Sequence, residues 1–268
     1  MRAYLDGRKM DDVAIERIRT FAPEALDMHP DGYWLAYSGG KDSDVILDLA
    51  KRSGVKFTAH HRLTTADAPE TVYYIRRQHP EVIIHKPAET MWQVIRRKGM
   101  PPRRNARFCC ESQKEVGGEG RMLILGVRSG ESNARSKRMI VERWKAGKRM
   151  VLNAILDWPT GAVWEYIRER GLRYNQLYDE GFTRVGCILC PLARQSDVAM
   201  CLDRWPRLCA AWERAVKTTW DPQPKHRRKF PTPDHLWRWW LDRRAKLEDY
   251  TDDDCPLFGA DDGMGAVE

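Results

Sequence analysis

Apolar positions in the first half of the chain fall into short runs separated by stretches with helical spacing. Val13 and Ile18, with Phe21 or Ala22, share one helical face, and Asp11 or Asp12 stands where a cap belongs. Tyr33-Trp34-Leu35-Ala36-Tyr37 is a continuous run of strand length that feeds a glycine-rich turn. Val45, Ile46, Leu49 and Ala50 then recur at helical spacing. Lys56-Phe57-Thr58-Ala59-His60 and Glu81-Val82-Ile83-Ile84-His85 read as further strands, with helices over Pro69 to Gln78 and Thr90 to Arg97. Arg121 to Val127 predicts a fourth strand and Met150 to Asn153 a short fifth. Strands alternating with helices predict βαβ units and a parallel sheet. Ligands of such sheets bind at the carboxyl ends of the strands, where the glycine-rich turn lies.

From about Pro159 the pattern turns helical. Trp164, Ile167 and Arg168 suit an amphipathic helix after Asp157-Trp158-Pro159-Thr160, and the segments Asp197 to Trp220 and Pro233 to Asp249 also read as helices. Beyond Tyr250 the chain is acidic and glycine-rich, the composition of a flexible tail. No internal repeat is visible.

With 268 residues, 42% of them hydrophobic, the chain can bury one sizeable core. The net charge of +8 favours a polyanionic partner or a phosphate-rich ligand. The polar start, Met1-Arg2-Ala3-Tyr4-Leu5-Asp6, does not resemble a signal peptide, and no apolar run is long enough to span a bilayer. A cytoplasmic setting is expected. There the seven cysteines read as metal ligands, reactive thiols or buried apolar groups rather than disulfides.

Ser38-Gly39-Gly40-Lys41-Asp42-Ser43 lies between a strand and a helix. Its glycines let backbone N–H groups approach an anion, and the following helix directs its positive end to the same place. Lys41 adds a full charge, and Ser38 and Ser43 add hydroxyls. The spacing is not that of a Walker A loop. It resembles the PP-loop of the ATP pyrophosphatase superfamily, whose members cleave ATP between the α and β phosphates. Thr65-Ala66-Asp67-Ala68-Pro69-Glu70-Thr71 resembles the second nucleotide-contacting loop of the phosphoadenosine-phosphosulfate reductase family. Leu125-Gly126-Val127-Arg128, with Glu131-Ser132 and Arg135, resembles that family's arginine loop, and Asn153 to Trp158 and Asn175 to Phe182 resemble its later blocks.

The resemblance implies an α/β fold: a Rossmann-like PP-loop parallel sheet, of the adenine nucleotide alpha hydrolase type, flanked by helices, with a helical C-terminal region. The division expected is an N-terminal helix over 1–30, a nucleotide-binding domain with the cysteine set over 31–195, helices over 196–250 and the acidic tail over 251–268. An adenine nucleotide, ATP or adenylyl sulfate or its 3′-phosphorylated form, is expected on Ser38 to Ser43, Asp67, Gly126, Arg128 and Arg135. Lys41, Asp42 and Arg128 are the candidate catalytic residues, and Asp42 or Asp67 the candidate Mg2+ ligand.

Cys109 and Cys110 are adjacent, and Cys187 and Cys190 form a C-x-x-C pair. Four thiolates suit an iron–sulfur cluster or a zinc ion, with four unbound thiols as the plain alternative. Adjacent cysteines chelate one small ion awkwardly, which favours a cluster. The two pairs resemble the [4Fe–4S] ligands of bacterial adenylyl-sulfate reductases. Arg96, Arg97, Lys98, Arg103, Arg104 and Arg107 make the first pair's surroundings basic. Cys201 and Cys209 read as buried small residues. Cys255 is a candidate nucleophile, but the Glu-Cys-Gly-x-His type element of sulfonucleotide reductases is absent around it, and neighbouring aspartates disfavour its thiolate.

Six of the eleven tryptophans lie at or after Trp205, among them Trp212, Trp237 and Trp240. Most read as helix core, while the Lys225 to Lys229 cluster is open to a polyanion. The intact loop and the absent C-terminal element weight the expectation toward an ATP-dependent iron–sulfur enzyme that adenylates a nucleic-acid substrate, DNA or tRNA, and transfers sulfur from a donor such as a cysteine desulfurase. The alternatives are a sulfonucleotide reductase that produces sulfite, and a non-catalytic nucleic-acid binder switched by nucleotide.

Overall fold

The computed structural model describes residues 3–144, 149–223 and 230–242. Cys255, the tail over 251–268, the Lys225 to Lys229 cluster and the end of the last expected helix lie outside them. The chain divides into two compact units. One joins Met1–Pro87 to Gln113–Gly186, and the other joins Ala88–Ser112 to the chain from Cys187 onward. The cysteine segments therefore cluster with the C-terminal helices, whereas the sequence pattern places them in the nucleotide-binding segment.

The first unit is built on a six-stranded sheet. Helix α1 (Met10–Thr20) and the short α2 (Ala22–Met28) lead into β1 (Tyr33–Ala36) and α3 (Lys41–Ser53). There follow β2 (Phe57–Arg62), α4 (Pro69–Gln78) and β3 (Ile83–His85), then β4 (Leu123–Ile124), the one-turn α7 (Asn133–Ser136), β5 (Val141–Trp144), β6 (Arg149–Leu152) and α8 (Thr160–Arg170). The helices of the second unit are α5 (Met91–Lys98), α6 (Phe108–Gln113), α9 (Gln195–Arg204), α10 (Pro206–Lys217) and α11 (Pro233–Leu241).

The strand order is β3-β2-β1-β4-β6-β5, parallel except for β5, which pairs antiparallel with β6. Both halves of the sheet start from the centre, so the topological switch point lies between β1 and β4. Ligands of open parallel sheets bind in the crevice that opens there. Val45, Ile46, Leu49 and Ala50 are fully buried on α3, in one core with Tyr33 and Leu35 of β1 and with Ile155, Trp158 and Tyr166.

Local differences from the sequence pattern have identifiable causes. Lys9, not Asp11 or Asp12, is the N-cap of α1, and the two aspartates sit in its first turn, where the helix dipole favours negative charge. Phe21 ends α1 and Ala22 opens α2, so neither prolongs the first helical face. The apolar run from Arg121 to Val127 keeps only two ladder residues. Arg121 turns instead to the start of β1, where its guanidinium donates to the Gly32 carbonyl at 3.1 Å and the Tyr33 carbonyl at 2.5 Å. Strand β5 has no sequence signal, because Val-Glu-Arg-Trp at a sheet edge carries no apolar alternation. The stretch read as helical from Asp197 to Trp220 is two helices, broken at Trp205 before Pro206.

Candidate active site

The loop Ser38-Gly39-Gly40 leaves β1 and delivers the chain to the N-terminus of α3 at Lys41. Its two ends are tied together. The Tyr37 hydroxyl, before the loop, donates a short hydrogen bond to Asp44, just after it, and both residues are buried. Burial pushes the Asp44 carboxyl up to about 7, Asp42 adds to the rise, and hydrogen bonds from Tyr37 and Tyr74 oppose it.

Inside the loop each glycine has its own steric reason. Gly39 has φ +75°, and a Cβ there would lie 2.8 Å from Thr71 Cγ2 and 3.1 Å from Ile75 Cδ1 of α4. A Cβ on Gly126, after β4, would lie 3.0 Å from the Asp42 backbone. The phosphate loop and the arginine loop thus approach at backbone distance, which only glycine allows. The Ser43 hydroxyl donates to the Gly40 carbonyl at 2.6 Å and accepts the Gly40 N–H at 3.1 Å. The fully buried Asn175 amide donates to the Gly39 carbonyl at 3.3 Å and to Thr71 Oγ1 at 3.0 Å, while its own oxygen accepts the Leu177 N–H.

The charges are paired. Lys41 is only 6% exposed, and its Nζ lies 3.1 Å from Asp42 Oδ2. Asp42 Oδ1 takes the Arg128 Nε–H at 2.6 Å. Arg128 is buried as well and also donates to Thr160 Oγ1 at 3.0 Å. Asp42 is therefore neutralised by two cations, and Arg128 braces the first turn of α3. The Arg128 N–H reaches Glu131, which also ion-pairs with Arg135. On the second loop, Asp67 accepts the Thr64 N–H at 2.7 Å. His61 beside it donates from Nδ1 to the Tyr37 carbonyl at 3.0 Å, and burial holds its pKa below the usual value despite the charge of Asp67. Because a carbonyl only accepts, this bond places a ring proton on Nδ1.

The second unit holds Cys109, Cys110, Cys187 and Cys190, none in a disulfide. Cys109 is buried on α6. Its thiol is pushed far up by a hydrogen bond with Cys110, then by burial and by the charges of Cys110, Cys187 and Cys190. The four thiols thus lie within electrostatic reach of one another. Cys187 and Cys190 bracket a turn in which the Cys190 N–H reaches the Cys187 carbonyl at 3.2 Å. Leu189 within it sits at φ +53°, a left-handed conformation that costs a bulky residue about 1–2 kcal/mol. Ile188 and Leu189 are fully buried, which holds the strained turn in place. Among the described residues no three His, Cys, Asp or Glu side chains are gathered as for a single metal ion. Cys201 and Cys209 are buried on α9 and α10, as small core residues. Trp205, Trp212, Trp237 and Trp240 are core too, with Trp212 and Trp240 stacked at 5.0 Å.

Sequence reasoning does not single out Tyr37, Asp44, Asn175 or Tyr178. Asn175 and Tyr178 stand in a block that resembles the family, Asn175-Gln176-Leu177-Tyr178, but nothing local shows that they meet a loop about 140 positions earlier.

Residues 32–193 match the phosphoadenosine phosphosulfate reductase domain family, over more than half of the chain. The chain belongs to this family. An uncharacterized protein of Methanocaldococcus jannaschii is 30% identical over 197 residues, covering 68% of this chain and 41% of that protein. Phosphoadenosine 5'-phosphosulfate reductase of Gloeobacter violaceus is 30% identical over 194 residues, 68% of this chain and 78% of its own. Adenosine 5'-phosphosulfate reductase of Oceanobacillus iheyensis is 30% identical over 169 residues, 58% of this chain and 69% of its own. The chain spans only 41% and 51% of two Methanocaldococcus relatives. A solved phosphoadenylyl-sulfate reductase of Candida auris, in a phosphate complex, aligns with a TM-score of 0.47 at 19% identity, covering 70% of this chain and 97% of that one. The family match makes the chain an enzyme of this broad class, with a nucleotide-binding α/β fold. No described helix is long and apolar enough to cross a membrane.

Proposed function

We propose that the chain is an ATP-dependent enzyme of sulfur transfer in the cytosol, acting through an adenylated substrate. The observation that carries this reading is Lys41, buried in an intact Ser-Gly-Gly-Lys-Asp-Ser loop at the N-terminus of α3. A buried ammonium beside backbone N–H donors stabilises negative charge far better than one in water. The bond that gains such charge when ATP reacts is the one to pyrophosphate. A substrate oxygen attacks the α-phosphorus, the bond to the bridging oxygen breaks, and pyrophosphate leaves. The terminal sulfur of a persulfide, such as that of a cysteine desulfurase, then displaces AMP, and a thiol reductant cleaves the resulting disulfide to leave the sulfur on the substrate. Asp42 serves as a brace between Lys41 and Arg128, and Asp67 is the residue assigned to the Mg2+ that accompanies ATP. Arg135 on the exposed side of its loop is assigned to phosphate positioning. The net charge of +8 supports a nucleic-acid acceptor, DNA or tRNA.

The cysteine set fits a [4Fe–4S] cluster. It contains four thiols within electrostatic reach of Cys109, it comes from one compact unit, and one pair sits on a turn held in a strained conformation. Cys109, Cys110, Cys187 and Cys190 would hold the cluster, which would supply a redox or sulfur-binding centre.

A second reading, a sulfonucleotide reductase yielding sulfite, is favoured by the named reductases among the relatives. Product analysis on anaerobically purified protein separates the two. AMP and pyrophosphate from labelled ATP, increased by tRNA or DNA, support adenylation. Sulfite from adenylyl sulfate, with ATP untouched, overturns it. Nucleic-acid binding without release of either product would mean a nucleotide-switched binder.

A further inference from the structure

Tyr178 stands in a short 3-10 turn, Gln176–Tyr178, and its hydroxyl reaches the phosphate loop. It accepts the Lys41 backbone N–H at 3.1 Å. This amide opens α3, where N–H groups have no partner within the helix. A Cβ on Gly40 would lie 3.1 Å from the same hydroxyl, so Gly40 leaves room for it. The Lys41 ammonium lies 5.2 Å from the centre of the Tyr178 ring. Burial raises the pKa of the hydroxyl, and hydrogen bonds from the backbone of Lys41 and of Val185 act against that rise.

A tyrosine hydroxyl has two acceptor sites and one proton. One acceptor site here takes the Lys41 N–H. Among the described residues the hydroxyl accepts and does not donate, so its proton is what remains for a ligand. The Lys41 N–H polarises the O–H bond and strengthens the bond it gives. The group sits beside Gly40 and Lys41, where the phosphate chain would lie, and the ring is half-buried rather than sealed.

We infer that Tyr178 is a ligand-contacting residue of this loop, donating its hydroxyl proton to a phosphate oxygen of the bound nucleotide. The inference rests on the nucleotide reading proposed above. Tyr178 relays the Lys41 N–H into the cradle: the amide holds the oxygen, and the oxygen presents its proton to the anion. A basic loop thereby gains a neutral donor without another cation near Lys41.

The test compares wild type with Tyr178→Phe, which keeps the ring and removes the hydroxyl. Calorimetry measures affinity for ATP, and competition measures affinity for inorganic pyrophosphate, the phosphate part alone. A hydrogen bond to a charged group predicts a loss of about 10- to 100-fold for both ligands. Unchanged affinity in Tyr178→Phe overturns the inference. Tighter binding overturns it too, because the hydroxyl would then be a plug occupying the cradle. A loss for ATP with none for pyrophosphate places the hydroxyl at the base or ribose and also overturns it. A thermal melt of the free proteins guards against a folding defect. If Tyr178→Phe melts much lower, Tyr178→Trp, which supplies an N–H donor in place of the hydroxyl, must bind pyrophosphate more tightly than Tyr178→Phe. Wild type that binds neither ligand sinks the nucleotide reading itself, a result distinct from the failures above.

Discussion

Gly39 and Gly54 offer a matched pair. Both adopt left-handed backbone, with φ +75° and +70°. Gly54 caps α3 in open space, where a Cβ would meet nothing within 4 Å, whereas a Cβ on Gly39 meets Thr71 and Ile75. Gly54→Ala therefore carries the conformational penalty alone, about 1–2 kcal/mol. Gly39→Ala carries the same penalty plus overpacking. Thr71 cannot swing aside easily, because it is β-branched, 2% exposed and held through Oγ1 by Asn175. Overpacking of this kind adds about 1–3 kcal/mol. Gly39→Ala should thus cost about 2–5 kcal/mol, against about 1–2 kcal/mol for Gly54→Ala, and it alone should weaken nucleotide binding. Urea unfolding of both variants gives the stabilities, and ATP titration gives the second readout. Equal costs would refute the close packing of Thr71 and Ile75 against Gly39, as would unimpaired nucleotide binding in Gly39→Ala.

Three further outcomes follow from the same geometry. Asn175→Ala strands the Gly39 carbonyl and the Leu177 N–H in the interior, so a destabilisation of about 2–4 kcal/mol is expected by denaturant titration, and less than about 0.5 kcal/mol would contradict the bonding described. Asp44 binds a proton more tightly in the folded state, from 3.8 up to about 7, so stability should fall as pH rises from about 4 to 7. Asp44→Asn should remove most of that slope, seen as melting temperature against pH. Anaerobically purified protein should be brown and contain iron, and Cys109→Ser should lower its iron content; iron-free, zinc-loaded wild type would turn the cysteine reading to zinc.

The βαβ pattern, the order of strands and helices through α5 apart from the short α2, and the position of the glycine-rich loop were legible in the chain. Each rests on local chemistry: apolar runs of strand length, helical periodicity, and glycines where a turn must form. Strand β5 and helix α6 were not, because an edge strand and a two-turn helix bury too little to pattern their residues. The four cysteines were legible as two pairs, but their joint membership in the C-terminal unit depends on packing between segments some 75 positions apart.

Local sequence alone dictates that Lys41, two glycines and two hydroxyls stand at the mouth of a parallel sheet, since those features need only a strand, a turn and a helix in succession. What surrounds them was decided in three dimensions. Tertiary contacts, not residue type, set Asp42 between two cations, raised Asp44 through burial and placed the His61 proton on Nδ1 against the Tyr37 carbonyl. The approach of Asn175 and Tyr178 to the loop is a long-range contact, which local periodicity does not encode. The strand order brings β1 beside β4, and that adjacency sets the arginine loop against the phosphate loop at a distance only glycine permits.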